Sequence, residues 1–325
     1  MTYVTLIGMH NKEYRPTLAQ LRTFVTVAEN KHFGTAAAKL EISQPSLSQA
    51  LVALEQGLGV QLIERSTRKV IVTSTGESLL PYAKATLEAA DAFLSHAKGA
   101  HGTLTGPLTI GIIPTIAPYI LPDLLNSINS AYPDLRPLFV EEQTKHLLSK
   151  LRDGHIDLAI IALPAEAAGL VEVPLYKEKF AVVTPWDNPL AGVEDLHLSQ
   201  LKEFDLLLLD DGHCLRDQIV YLCRRAQLNP TETTNSVTRA ASLTTIMQLV
   251  MGGLGTTLVP ESAIATECRD NRLAIAHFAP DVTAEREVGM VYRASAARAE
   301  EFRQFSALVT AAFEKALKRS RRVER

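Results

Sequence analysis

Cysteine is scarce in this chain, with three residues among 325, and the count is odd. That excludes the disulfide scaffold of a small secreted domain and points to a reducing compartment. No C-x2-C pair occurs, and His213 directly beside Cys214 is not ligand spacing, so neither a zinc site nor any other cofactor is expected. Long apolar runs are missing as well. The stretch LAIIALPAEAAGL is interrupted by Pro164 and Glu166, and nothing approaches the roughly 18 residues of a membrane helix. The opening MTYVTLIGMHNKEYR lacks the basic start and apolar run of a signal peptide, and Met9 is an equally good start. A cytoplasmic protein without membrane contact is the expectation. Excess positive charge is absent too: 33 basic against 36 acidic residues leave −3, so any DNA-binding surface must be local. What remains is ordinary soluble composition, 46% hydrophobic and 21% charged, in a chain long enough for two or three domains.

After an extension (1–16), three short helical patterns follow. Leu18, Leu21, Phe24, Val25 and Ala28 recur at three-and-four spacing. In GTAAAKLEI, Thr35 stands as an N-cap before small alanines that permit close helix packing. In SQPSLSQALVALEQGLG, Ser43 is the cap and Pro45 occupies the first turn, where its missing N–H costs nothing. Leu47, Leu51, Leu54 and Leu58 form its apolar face. Gln44, Ser46, Ser48 and Gln49 form the leading face, short polar groups suited to base edges and phosphates. QLIERSTRKVIVTSTG then predicts a hairpin wing with Arg65, Arg68 and Lys69 at its tip; alone this is a solvated turn, but behind a helix-turn-helix it reads as a phosphate contact. Ser74 and Glu77 spell a capping box, opening a long helix (74–101) with Pro81 in its second turn. Leu80, Leu87 and Leu94, with Ala83, Ala90 and Ala97, repeat every seven residues. Such a seam fits a dimerisation helix better than a helix packed on its own domain. A glycine-rich hinge (102–107) follows.

From Leu108 the pattern alternates strand and helix twice over, a parallel α/β texture. In such lobes ligands sit beyond the carboxyl ends of strands, near helix N-termini. Thr115, Thr144 and Cys214 fall at such junctions, and a helix N-terminus lowers a thiol pKa. Arg286 is the candidate cation of a returning strand. Taken singly, Thr115 and Thr144 are most simply helix caps, His213 a loop histidine, and Cys268 a structural thiol. Cys214 and Cys223, nine residues apart in one helical pattern, are either inert buried cysteines or a pair that meets only on refolding. Nine helical residues span about 13.5 Å, whereas a disulfide requires alpha-carbons roughly 4.4–6.8 Å apart.

The N-terminal order resembles the winged helix-turn-helix of LysR-type transcriptional regulators: Phe24–Glu29, the alanine-rich run to Leu40, SQPSLSQ through Glu55, Gly59–Arg65 and Thr73–Gly76. The likeness extends over nearly the whole chain to the peroxide-sensing members of that family. It is carried by DGHCLRDQ with a second cysteine nine residues on, the run Pro114–Pro122, Glu141–Thr144, VEVPLY, Gly253–Pro260 and Arg286–Arg293.

The resemblance implies an α/β multidomain protein. Its parts are a winged domain (17–73), a linker helix and a two-lobe, periplasmic-binding-protein-like regulatory domain (108–312). Lobe I spans 108–180 and 283–312, lobe II 181–282, and a flexible basic tail (313–325) ends the chain. It implies that Cys214 is the peroxidatic thiol and Cys223 the resolving one, with Thr115, Thr144, His213 and Arg286 orienting peroxide and stabilising charge. It also implies partners: double-stranded DNA at partly palindromic promoter sites, hydrogen peroxide, RNA polymerase, a cytosolic thiol reductant, and further copies of itself as dimer and tetramer. Two other readings stay open, a LysR-type regulator of a small metabolite with incidental cysteines, and a thiol peroxidase or cysteine hydrolase. A DNA-binding arm disfavours the last, because catalysis has no use for one.

Overall fold

The computed structural model describes residues 14–65, 70–97, 104–203, 205–227 and 240–323. The chain divides into two compact units, 1–99 and 100–325.

In the first unit, α1 (Leu18–Asn30), α2 (Phe33–Lys39) and α3 (Gln44–Leu58) pack around Phe24, Val27, Leu47, Leu51 and Leu54, all nearly or fully buried. A hairpin of β1 (Ile63–Arg65) and β2 (Val70–Val72) follows, then α4 (Ser74–Ala97). Geometry explains several motif residues. Glu55 Oε1 accepts the N–H groups of Leu62 and Ile63 and so anchors the wing to α3. Glu29 pairs with the buried Lys84 at 3.0 Å, tying α1 to α4. A Cβ at Gly76 would stand 2.3 Å from the Leu62 carbonyl, so only glycine lets α4 approach the wing this closely.

Several expectations are corrected here. The cap of α2 is His32, whose Nδ1 accepts the Thr35 N–H; Thr35 is already inside the helix. Thr73, not Ser74, receives the first-turn N–H of Gly76. Leu18 and Leu58, read as apolar-face residues, are exposed. The seven-residue seam is split: Leu80 and Ala83 are buried in their own unit's core and Leu87 packs partly on it. Solvent instead meets Tyr82, Phe93 and Leu94 on α4, each more than half exposed.

The second unit is built on a mixed sheet in the order β4-β3-β5-β9-β6-β7, with β8 also on β6. Strand β3 (Gly106–Ile112) pairs in parallel with β4 (Leu135–Glu141) and β5 (Leu158–Leu163). Helices α5 (Ala117–Ala131) and α6 (Thr144–Arg152) make the crossovers. Two long strands, β6 (Leu170–Pro185) and β9 (Glu285–Arg293), run antiparallel with Glu178 opposite Arg286. They join two apolar cores, one centred on β3, β5 and β9, the other on residues 180–284. The second lobe also holds α7 (Cys214–Arg225), α8 (Leu243–Met251), β7 (Thr257–Pro260), a 3₁₀ turn (Glu261–Ala263), α9 (Ile264–Glu267) and β8 (Leu273–His277). Its parallel character is weaker than the alternation predicts. β7 and β8 pair with β6 antiparallel, and parallel pairing among the described residues of this lobe reduces to single bridges such as Leu206–Thr256 and Leu209–Ala240.

The expected basic tail is not a tail. Helix α10 (Ala299–Val323) continues through it. Phe313 stacks on Tyr176 at 3.7 Å, Arg319 pairs with Asp123 of α5, and the buried Ser320 accepts the Ala265 N–H at 3.1 Å. Three-and-four spacing of Phe302, Phe305, Val309, Phe313 and Ala316 keeps an apolar face turned inward despite the basic run.

Candidate functional site

The parallel strands β3 and β4 end side by side at Ile112 and Glu141. The turns that leave them, Ile113–Thr115 and Gln143–Thr144, therefore lie together beyond the carboxyl edge of the sheet, the usual ligand position of such lobes. The loop before α7 comes down on them from the second lobe. Ile113, Pro114, Thr115, Gln143, Thr144, Gly212, His213 and Cys214 enclose a pocket of about 150 Å³, counting its open mouth. Gly212 turns the loop with φ +93°, and the Gln143 amide closes over it, donating to the Asp211 carbonyl at 3.3 Å. Arg216 pins the same loop by pairing with Asp211 at 2.9 Å and donating to the Leu209 carbonyl; it is a brace for the loop. Thr115, Thr144 and Cys214, which fall at separate junctions in the sequence, are thus brought together with His213, which the family resemblance named.

Neither threonine is a helix cap. The cap positions are Ile116 for α5 and Gln143 for α6. Thr115 instead receives Arg286: Nη1 donates to its hydroxyl at 2.9 Å and Nη2 to its carbonyl at 2.8 Å. The enclosed Thr144 hydroxyl makes no well-formed hydrogen bond, although it lies close enough to Cys214 to favour the thiolate. His213 is buried, which pushes its pKa down against the opposing pull of Asp210, so the ring is neutral near pH 7.

Cys214 is the first residue of α7, as expected, but its thiol is not acidified. Burial pushes the pKa up and outweighs Arg286, Thr115 and Thr144, which pull it down; Asp217 adds to the rise. The resting site is a protonated thiol surrounded by groups that stabilise a thiolate once formed. Cys223 is fully buried in the same helix. The two sulfurs also belong to different cores: Cys214 packs against that of the first lobe, Cys223 lies inside that of the second. Both are thiols rather than halves of a disulfide.

Sequence reasoning missed Glu178. Its Oε2 accepts Arg286 Nε at 2.9 Å and Nη2 at 2.7 Å, and its Oε1 accepts the Ser262 N–H at 3.0 Å. The signal was available only as a carboxylate inside a strand pattern, and alternation cannot say which face is buried on a crossover strand.

On the winged unit, Thr35, Ser43, Gln44, Pro45, Ser46 and Gln49 are exposed and Ser48 is half-buried. The Ser43 hydroxyl accepts the Ser46 N–H at 3.2 Å, as its cap position predicts. Arg65 ends β1; Arg68 and Lys69 lie outside the described residues.

Two family models match: "Bacterial regulatory helix-turn-helix protein, lysR family" over residues 18–77 and "LysR substrate binding domain" over 101–314. A Mycobacterium leprae protein described as a probable hydrogen peroxide-inducible genes activator is 47% identical over 301 residues, covering 93% of this chain and 96% of that one. Among solved structures, a cysteine-to-serine mutant of Corynebacterium glutamicum OxyR with H2O2 bound is 67% identical, with a TM-score of 0.69 and coverage of 96% and 97%. The oxidized form of the same OxyR is 67% identical with a TM-score of 0.62, covering 97% of this chain and 96% of that one.

Proposed function

Since this chain belongs to the LysR family of DNA-binding regulators, in its OxyR group, we propose that it is a transcription factor switched by hydrogen peroxide through Cys214. The observation that carries this reading is the placement of Cys214. It sits at the start of α7 in a pocket with Thr115, Thr144 and His213, backed by Arg286, while a second thiol waits in the same helix.

In this mechanism the Cys214 thiolate attacks one peroxide oxygen. An S–O bond forms as the O–O bond breaks, and hydroxide leaves to be protonated as water. Arg286 offsets the charge on sulfur and departing oxygen. The Thr144 hydroxyl, uncommitted elsewhere, and that of Thr115 orient the peroxide, and neutral His213 is available for proton relay. The Cys223 sulfur then attacks the sulfenic sulfur; a disulfide forms and water leaves. An intact α7 holds these residues about 13.5 Å apart along its axis, twice the longest alpha-carbon separation a disulfide allows, roughly 6.8 Å. Closure therefore unwinds α7 and pulls one cysteine out of its core. That rearrangement is the signal to the DNA-binding unit, and a cytosolic thiol reductant resets it. The thiol reacts stoichiometrically, as a sensor rather than an enzyme.

Ser43, Gln44, Pro45, Ser46, Ser48 and Gln49 meet a major groove, and Arg65, Arg68 and Lys69 meet phosphates beside it. Exposed Tyr82, Phe93 and Leu94 of α4, with Ala90, supply the dimer surface that brings two winged units to a partly palindromic site. Tetramer formation and contact with RNA polymerase belong to the same reading. Disulfide mapping by mass spectrometry after micromolar peroxide tests it. A Cys214–Cys223 bond and a changed DNA footprint are expected. A Cys214→Ser variant should show neither, and Cys223→Ser should accumulate sulfenic acid at Cys214. Finding no such bond, or an unaltered footprint difference in Cys214→Ser, overturns it.

A further inference from the structure

We propose that Glu178 is the positioning residue of this site: it holds the Arg286 guanidinium against Thr115 and cancels part of the field that guanidinium exerts on Cys214. The inference rests on Cys214 being the reactive thiol, but one arm of its test needs no peroxide.

A guanidinium carries five N–H groups. Arg286 Nε and one Nη2 hydrogen go to Glu178 Oε2, the other Nη2 hydrogen to the Thr115 carbonyl, and one Nη1 hydrogen to the Thr115 hydroxyl. One Nη1 hydrogen is left for a thiolate or a departing oxygen. Its direction is set by the other four bonds, and half of those end on Glu178. Glu178 is itself fastened on two sides: it lies opposite Arg286 in the β6–β9 register, and its second oxygen takes the Ser262 N–H from the 3₁₀ turn of the second lobe. Both ionic side chains are essentially out of water, 0% and 1% exposed. Two ions so buried gain little net stability from each other because desolvation offsets their attraction. The value of the pair lies in where it puts the guanidinium.

The charge has a second effect. An unopposed buried cation beside a thiol would hold it ionised, whereas here burial prevails over Arg286 and the thiol stays protonated. The groups facing Cys214 and Arg286 from each neighbouring element are few. Asp217 of α7 acts against the thiolate, and the buried His213 is neutral. Tyr119 of α5, bonded to Glu267 of α9, and Tyr176 of β6 are both held as neutral phenols, by burial first and then by adjacent carboxylates. Glu178 is the carboxylate bonded to the guanidinium itself, so its charge opposes that of Arg286 at the contact, while Asp217 opposes the thiolate from α7.

Two variants of the full-length protein separate position from charge. Glu178→Gln keeps the shape and one acceptor but removes the charge. Glu178→Asp keeps the charge but withdraws it by one methylene. Iodoacetamide labelling of the Cys214 peptide across pH reports thiol ionisation without peroxide, and the rate of oxidation by H2O2, divided by the ionised fraction, reports positioning. Glu178→Gln should lower the labelling midpoint by about 0.5–1 pH unit and speed oxidation at pH values below that midpoint. Glu178→Asp should not lower the midpoint, and its corrected rate should fall about tenfold or more, the effect of a displaced charge stabiliser. If both variants fold, melt at lower temperature, and keep the original midpoint and corrected rate, Glu178 is a structural ion pair only and the proposal fails. If the unaltered protein ignores H2O2 yet the Glu178→Gln midpoint falls, the peroxide reading fails while the charge-balancing role stands. Should Glu178→Gln not fold, the Glu178→Asp rate decides the matter.

Discussion

Replacing Ile219 with alanine should make the Cys214–Cys223 disulfide harder to reduce. Ile219 lies on α7 and is 2% exposed, packed with Leu215, Leu222 and Cys223 in the core of the second lobe. If disulfide formation unwinds this helix, Ile219 stabilises the dithiol form and contributes little to the disulfide form. Truncating a buried isoleucine to alanine costs roughly 2–5 kcal/mol, of which alanine's better helix propensity returns a few tenths. A net loss of about 3 kcal/mol in the dithiol form, at 30 mV per 1.4 kcal/mol for a two-electron couple, moves the midpoint about 65 mV more negative. The sign follows from which state is weakened: a less stable dithiol makes reduction less favourable. Ile219→Val, costing about 1 kcal/mol, should move it about 20 mV in the same direction. Tyr221→Ala, on the exposed side of the helix, should hardly move it. Redox titration in dithiothreitol buffers, with thiol trapping and mass readout, measures all three. The reasoning is refuted if Ile219→Ala and Ile219→Val lower the melting temperature of the dithiol form but share the parent midpoint. Helix packing would then survive in the disulfide form, and the two sulfurs would have to meet some other way.

Replacing Arg68 or Lys69 with alanine should reduce the slope of log K against log salt for operator binding by about 0.9 for each phosphate no longer neutralised; fluorescence anisotropy at several salt concentrations measures it. His213 has a folded pKa depressed by burial, so the native state prefers the neutral ring. Its contribution is fully favourable above the unfolded value near 6.5 and is lost as pH falls through that value toward the folded one. A His213→Gln variant should lose less stability than the parent between pH 7.5 and 5.5 in urea titrations; equal losses would contradict it. Ser320→Ala leaves the buried Ala265 N–H without its acceptor and should cost about 1–3 kcal/mol, read as a lower urea midpoint. A flexible tail would show no change.

Much of the site was legible because its residues fall at strand-to-helix junctions, where the local pattern alone signals an exposed carboxyl edge. Thr115, Thr144 and Cys214 could be placed that way, whereas His213 and the roles of all four came only from the family resemblance; the four line one pocket. The pocket's charge balance could not be read so. Glu178 sits 108 positions from Arg286 along the chain, and nothing local marks a carboxylate on a half-buried strand as the partner of a distant arginine. The acidity of Cys214 failed for the same reason. A helix start argues for a lowered pKa, but burial, a property of everything packed around the sulfur, decides the direction. The tail and the α4 seam failed in mirror image. A basic run looked solvated and is helix with a buried face, whereas a heptad repeat looked free and begins inside its own unit's core.

The sequence by itself determined the order of elements, the three helices with their hairpin and the α/β texture, because those rest on periodicity and on spacing along the chain; the reading of Cys214 and Cys223 as a reactive pair came from family resemblance. It also determined that the pair cannot close within a helix, since helical rise depends on residue count alone. Only the tertiary structure decided that the two sulfurs occupy different apolar cores, that the resting thiol is protonated, and that a carboxylate on the crossover strand holds the arginine behind it. Burial and electrostatic pairing depend on which residues meet across the fold, and sequence separation carries almost no record of that.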